Sequence, residues 1–311
     1  NIVDGVIDVV VEEVEDYQSI LKSVVSDIDA KHRGVYPKGL MIGYKDIDAR
    51  HEGWQPSDLV ILAGRPGSGK SAMAFNIAAH VAKTEHVVIF TMEMSKKQVL
   101  NRILSNLGSL ESRKIRSGQL EDDEWHKLAA GVTRMKELKL TVNHATNIVR
   151  KIARKNKIGL IVIDYLQLMT NKQEKGGRFE EVSSISRALK VMAKRFAPVL
   201  ALSQLSRKVE ERADKRPMLS DLRESGQLEQ DADIIMMLYR DDYYNENSAF
   251  KGTIEVNTAK FREGEGGTDT LAHQLHYARF VDLTPDQMRY LMEDRQRIEE
   301  EAKSRKGGGF I

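Results

Sequence analysis

The sequence predicts an α/β protein with a mostly parallel sheet and helices on both faces, and three observations carry that prediction. Short β-rich runs alternate with helical stretches through the middle of the chain, which is the pattern of βαβ units. The apolar run Leu59-Val60-Ile61-Leu62-Ala63 leads into Gly64-Arg65-Pro66-Gly67-Ser68-Gly69-Lys70-Ser71 and then into the helical Ala72-Met73-Ala74-Phe75. Strand, glycine-rich loop and helix therefore follow one another as a phosphate-binding loop requires. Beyond Asp233, runs at 234–239, 253–258 and roughly 270–277 read as strands without helices between them, which predicts an antiparallel extension at one sheet edge.

Composition bounds the rest. At 311 residues, 41% hydrophobic and 30% charged, the chain has the make-up of a soluble globular protein. One large domain with appended helices fits that length. No apolar run approaches the roughly 20 residues of a membrane span, so no membrane role is expected. Cysteine is absent, which rules out disulfides, thiolate metal sites and cysteine nucleophiles and fits the cytoplasm. The eight histidines show no metal-ligand spacing. The chain opens at Asn1 with neither initiator Met nor leader pattern, and reads as a processed or truncated fragment. A net charge of +2 leaves any polyanion binding to local clusters.

In order along the chain, Val3, Ile7, Val10, Val14, Tyr17, Leu21, Val24 and Ile28 fall at 4-3 spacing on one seam of a helix. Residues 1–33 read as a linker helix that packs on its own domain or docks on a neighbouring subunit. Residues 31–57 are punctuated by Gly34, Pro37, Gly39, Gly43, Gly53 and Pro56, and a core domain is expected over 34–280. Its strands are expected at 59–63, 86–92, 139–143, 160–163 and 198–203. Helices are expected from Lys70, from Ser95, near 121–138, near 146–157 and over 180–196. Thr284-Pro285-Asp286-Gln287 reads as an N-cap, a proline at the first helical position and a capping-box glutamine, opening a charged tail over 281–311.

The loop from Gly64 to Ser71 implies ATP or another NTP with Mg²⁺. Backbone N–H groups of Gly64, Arg65, Pro66's neighbours, Gly67, Ser68 and Gly69 would wrap the phosphates, Lys70 would reach the β- and γ-phosphates, and the Ser71 hydroxyl would ligate the metal. A carboxylate beside Mg²⁺ is needed at the end of a buried strand, and Leu160-Ile161-Val162-Ile163-Asp164 supplies Asp164. Hydrolysis also needs a group to activate or orient water. Glu93, after the run 87–92, would project from the same sheet edge; it would equally serve as an acidic residue at the start of a helix. Gln204 closes a third strand there, where an amide could sense the γ-phosphate.

Taken in order, Phe90-Thr91-Met92-Glu93-Met94, Ile163-Asp164-Tyr165-Leu166-Gln167-Leu168-Met169, Leu202-Ser203-Gln204-Leu205 and Asp221-Leu222-Arg223-Glu224-Ser225-Gly226 through Glu229-Gln230-Asp231-Ala232-Asp233 resemble the DnaB-type replicative helicases. The resemblance is to their RecA-like motor domain, covers about 34–280, and is far more specific than the phosphate loop alone. It implies an ATP-hydrolysing homohexameric ring that encircles single-stranded DNA, moves 5′ to 3′ and binds nucleotide between subunits. By the same resemblance Glu93 is the catalytic glutamate and Gln204 the γ-phosphate sensor. Lys260 and Arg262 form a basic pair inserted into the neighbour's site, although from the sequence alone they equally form an edge-strand charged pair. Arg223, Glu224 and Gly226 match the channel loop that holds the DNA backbone. The helical domain that precedes the linker in that family has no counterpart in this sequence. Helicase loader and primase are further partners the resemblance implies.

Two charge clusters remain. Arg207, Lys208, Arg212, Lys215 and Arg216, mixed with Glu210, Glu211 and Asp214, form a segment that reads as DNA contact or solvated linker. Arg150, Lys151, Arg154, Lys155 and Lys157 precede the Asp164 strand at the edge opposite the phosphate loop, and read as a solvated face or subunit contact. Two other functions share the fold and loop: a RecA-type recombinase or filament ATPase, and an ATP-dependent protein switch with no DNA dependence.

Overall fold

The computed structural model describes residues 16–33, 39–144, 148–164, 178–222, 226–291, 293 and 297. Nine strands form one sheet: β1 (Leu59–Gly64), β2 (His86–Thr91), β3 (Leu140–Asn143), β4 (Ile158–Asp164), β5 (Val199–Gln204), β6 (Ile234–Tyr239), β7 (Thr253–Phe261), β8 (Gly267–Gln274) and β9 (Arg279–Asp282). Their order is β3-β2-β4-β5-β1-β6-β7-β8-β9. The first six are parallel and the last three antiparallel. β6 therefore belongs to the parallel core, pairing with β1 from Val60↔Ile234 to Ala63↔Met237, and the antiparallel extension begins one strand later than the sequence suggests. The run read as one strand over 270–277 is strand only as far as Gln274, the end of β8; Leu275–Tyr277 form a 3₁₀ turn, and β9 follows it from Arg279. β9 carries the sheet to Asp282, two residues beyond the expected end of the core.

Helices cover both faces. They are α1 (Tyr17–His32), α2 (Lys45–His51), α3 (Lys70–Val81), α4 (Lys96–Gly108), α5 (Ser112–Ser117), α6 (Asp122–Lys136), α7 (Val149–Ala153), α8 (Arg178–Arg195), α9 (Gly226–Asp231) and α10 (Asp241–Tyr244). Alternate residues of each core strand feed opposite layers, as a pleated strand must. Val60, Leu62, Val87, Ile89, Leu160 and Val162 pack with α3 and α4. Ile61, Ala63, Val88, Phe90, Ile161 and Ile163 pack with α8. Strands buried on both faces read as unbroken apolar runs, which is why they are visible in the sequence.

Local signals set the helix ends. Ser95 accepts from Gln98 N while Gln98 Oε1 accepts from Ser95 N, a reciprocal box that fixes the start of α4. The same arrangement joins Thr284 and Gln287 ahead of a helix over 285–291. Of the basic stretch expected to be helical over 146–157, residues 146–147 lie outside the described residues, and among the described ones the α-helix covers Val149–Ala153. On α1, Tyr17, Leu21, Val24 and Ile28 are 73, 48, 47 and 61% exposed, so its apolar seam has no covering partner among the described residues. Residues 1–15, which carry the first half of the seam, lie outside the described residues. Among the described residues no helix is long and apolar enough to cross a membrane.

Candidate nucleotide site

β2, β4, β5 and β1 are adjacent, and their carboxyl ends meet at a cleft of about 440 Å³. Such an edge is where ligands bind in open parallel sheets. Each strand delivers one piece: Glu93 after β2, Asp164 at the end of β4, Gln204 at the end of β5 and the loop Gly64–Ser71 after β1. Gly64 is level with Gln204 across the β1–β5 pair. Thr91 makes the turn that turns Glu93 outward, donating to Met94 O at 2.9 Å while accepting from Met94 N at 3.1 Å. Backbone pairing continues from Met92 N to Asp164 O at 2.8 Å, which keeps the two acidic strand ends side by side.

The loop has the shape of an anion cradle. Gly67 and Gly69 have φ of +80° and +99°, conformations that a Cβ would strain, and Gly69 is the N-cap of α3. A Cβ on Gly69 would also come within 2.8 Å of the Phe280 ring. Lys70 folds over the loop, donating to Gly64 O at 2.7 Å and Arg65 O at 3.0 Å. Burial first, and the nearby Arg65 guanidinium, push its pKa down to about 8, against the pull of Asp164 and Glu93. Burial first, and the Glu93 charge, raise the Asp164 pKa, opposed by the Ser71 hydroxyl and by the charges of Arg102 and Lys70.

The donor set fits a divalent cation. Ser71 and Asp164 line the same cleft, and Asp164 Oδ2 is buried without a hydrogen-bond partner. An unpaired buried carboxylate oxygen is costly unless a cation or a strong donor satisfies it. Ser68 Oγ, inside the loop, is also buried and unpartnered.

Some expected residues do not join the cleft. Lys260 and Arg262 lie toward the amino-terminal edge of the parallel strands, the edge opposite the loop. Lys260 is paired with Ile235 near the start of β6, and Arg262 N donates to Asp233 O at 2.9 Å. Gly226 begins α9, with open space around its Cβ position. Arg223 and Glu224 lie outside the described residues.

Other cleft residues carry no motif. Arg102 of α4 lines the cleft opposite Asp164, yet one arginine in an amphipathic helix resembles a solvated charge. Leu275 and Ala278 close the cleft beside α3, held by Asn76, whose Nδ2 donates to Ala278 O at 2.6 Å and whose Oδ1 accepts from Phe280 N at 3.0 Å. The segment after β5 is tethered rather than loose. Arg65 donates to Glu210 and to Leu205 O, both at 2.8 Å, and Arg212 clasps Asp221 through two bonds of 3.0 and 2.8 Å. Arg216 clasps Glu255 of β7 through bonds of 2.8 and 2.9 Å. Two of its five cations, Arg212 and Arg216, therefore hold the segment in place.

Fold and cleft together define a P-loop nucleotide-binding protein. More particularly, the family of DnaB-like helicase C terminal domains matches residues 39–282, and the chain belongs to that family. It is 43% identical over 279 residues to the replicative DNA helicase DnaB of Geobacillus stearothermophilus, covering 86% of this chain and 62% of that protein. It is 43% identical over 257 residues to the replicative DNA helicase DnaC of Bacillus subtilis (strain 168), covering 79% and 57%. The chain thus spans less than two thirds of the length of these relatives. Among solved structures, one described as an ATPase domain superposes with a TM-score of 0.81 at 36% identity, over 88% of this chain and all of that one. A DnaB-like replicative helicase, described with its interactions with primase, superposes with a TM-score of 0.79 at 36% identity, over 88% and 68%.

Proposed function

We propose that this chain is the motor of a ring-shaped replicative DNA helicase, a homohexamer that hydrolyses ATP or another NTP to move 5′ to 3′ along single-stranded DNA. The observation that carries the proposal is the division of the expected active site between two sheet edges. Lys70, Ser71, Glu93, Asp164 and Gln204 converge on one cleft, while Lys260 and Arg262 sit toward the other edge of the same sheet. A basic pair so placed can complete a nucleotide site only on another copy of the chain. The uncovered apolar seam of α1 supports assembly by the same argument, because a helix face of this kind is stable when a neighbour buries it.

In this reading the loop N–H groups and Lys70 bind the β- and γ-phosphates. Ser71 and Asp164 would hold Mg²⁺, which when bound would neutralise charge at the phosphates. Glu93 orients a water and takes its proton as the water oxygen bonds to the γ-phosphorus and the bond to the ADP oxygen breaks. Arg262 of the adjacent copy stabilises the charge that develops on the transferred group, and Gln204 senses its presence. The loop of Arg223, Glu224 and Gly226 holds the strand by its phosphates, through the Arg223 guanidinium and backbone N–H groups, a mode suited to movement over any sequence. Loader and primase contacts, and action in the cytoplasm, follow from the same reading.

Unwinding of a forked duplex by the intact protein, compared with Lys70→Ala, tests the proposal. Strand separation lost in the variant supports a motor. DNA-stimulated hydrolysis with filaments and no separation would favour a recombinase-type ATPase, and hydrolysis indifferent to DNA would favour a switch.

A further inference from the structure

Asn76 is the one polar side chain between Ala72 and Ala79 of α3, where every other residue is buried and apolar. Asparagine is a poor choice inside a helix, because its amide competes for backbone partners. Here the amide has three of them. Nδ2 donates to Ala72 O at 2.8 Å, one turn back in α3, and to Ala278 O at 2.6 Å, while Oδ1 accepts from Phe280 N at 3.0 Å. Ala72 and Ala278 both line the cleft. One side chain behind the cleft thus joins its floor to its wall.

The segment that Asn76 holds is the turn between β8 and β9. The hairpin is closed by its own bonds: Leu271 to Gln274 pair with Asp282 to Arg279, and Ala278 N donates to Leu275 O at 3.0 Å. Those bonds shape the turn, and the Asn76 amide ties it to α3. Beside that tie, a Cβ on Gly69 would stand 2.8 Å from the Phe280 ring and 3.5 Å from the Leu275 side chain, so the turn also abuts the phosphate loop.

The cleft has two ends. Glu93, Asp164 and Gln204 come from β2, β4 and β5, to one side of β1, and mark the end where the γ-phosphate reacts. Leu275 and Ala278 come from the β8–β9 hairpin, which lies to the other side of β1 in the sheet and packs back onto α3. Their side chains are apolar, a surface suited to a ribose and base rather than to phosphate.

We propose that Asn76 is a positioning residue for the nucleoside half of the substrate. It fixes the wall of Leu275 and Ala278 against Ala72, and that wall bears on the ribose and base while the loop and Lys70 hold the phosphates. Affinity for the nucleoside and affinity for the phosphates are then set by separate parts of the cleft. This rests on the reading of the cleft as an NTP site.

The test compares ATP with inorganic tripolyphosphate, which keeps the phosphates and lacks the nucleoside. Calorimetric titration with each, and steady-state hydrolysis of ATP, are measured for the intact protein, Asn76→Ala, Asn76→Ser and Lys70→Ala. Expected for Asn76→Ala is a rise of about tenfold in Kd and KM for ATP, with tripolyphosphate affinity and turnover at saturating ATP changed by less than about twofold. Serine in a helix can bond the carbonyl one turn back but does not reach the turn. Asn76→Ser therefore shows the same pattern, and carries the test if Asn76→Ala does not fold. Unchanged ATP affinity in the variant that folds, or ATP and tripolyphosphate weakened alike, overturns the positioning role while Lys70→Ala, weakened toward both ligands, leaves the NTP site standing. Undiminished binding of both ligands by Lys70→Ala overturns the NTP site itself, and the positioning role with it.

Discussion

The Ser71 hydroxyl, in the first turn of α3, and the Asp164 carboxylate, at the end of β4, stand together in one cleft, where Ser71 lowers the Asp164 pKa against the upward push of burial. Asp164 Oδ2 is buried with no hydrogen-bond partner, an unsatisfied anionic oxygen beside the hydroxyl proposed to ligate the metal. Asp164→Asn removes the charge while keeping the shape. Expected is ATP affinity in the absence of Mg²⁺ similar to that of the unaltered chain, but no strengthening of affinity when Mg²⁺ is added and little turnover. Calorimetric titrations with and without the metal check this. Equal strengthening by Mg²⁺ in both proteins would remove Asp164 from the metal site.

What the sequence made legible were features that local chemistry dictates. Unbroken apolar runs disclosed the core strands, and the glycine spacing disclosed the loop at 64–71. The Ser95 and Thr284 boxes marked helix starts because side chain and backbone satisfy each other within four residues. Features made by distant contacts were hidden. Arg102 faces Asp164 only because α4 packs along the sheet. β9 is short and joins the sheet through pairing with β8 and through Asn76, 204 residues earlier than Phe280. The pairing of Arg212 with Asp221 and of Arg216 with Glu255 likewise turns an apparently loose basic loop into a tied one.

His51 supplies a stability switch in acid. It lies buried, with Nε2 3.2 Å from Thr258 Oγ1 and its ring edge-on to Phe261. Burial first, and the neighbouring Arg50 charge, lower its pKa to about 4, against the opposing pull of Asp269. A folded-state pKa below the unfolded value means the unfolded chain binds the proton more tightly. Stability from a neutral His51 is therefore full above about pH 6.5 and is lost as pH falls toward 4, by up to about 3 kcal/mol. Denaturant unfolding should show the unaltered chain losing more stability over that window than His51→Gln. Parallel losses in the two proteins would contradict it.

Asp233 is the electrostatic anchor of the amino-terminal sheet edge. Its Oδ2 accepts from Leu59 N at 2.8 Å and from the Lys190 ammonium, and its Oδ1 faces Arg262. Replacing it with alanine leaves Lys190 nearly buried without its counter-charge. The expected cost is about 3 to 5 kcal/mol, read as a shift in the denaturation midpoint at unchanged slope. A change below about 1 kcal/mol would place the pair among surface ion pairs of little consequence.

The central claim is that each nucleotide site is built from two copies of the chain, Glu93 from one and Arg262 from the next. Mixing Glu93→Gln subunits with Arg262→Ala subunits measures it directly. Each variant alone should be nearly inactive, the arginine substitution costing about 10³- to 10⁵-fold in turnover. In mixed rings, an Arg262→Ala subunit offers an intact Glu93 to the intact Arg262 of a Glu93→Gln neighbour. Recovery of hydrolysis on mixing is the result expected. Verified mixed rings as inactive as either parent, or a lone Arg262→Ala subunit as active as the unaltered protein, would contradict the shared site.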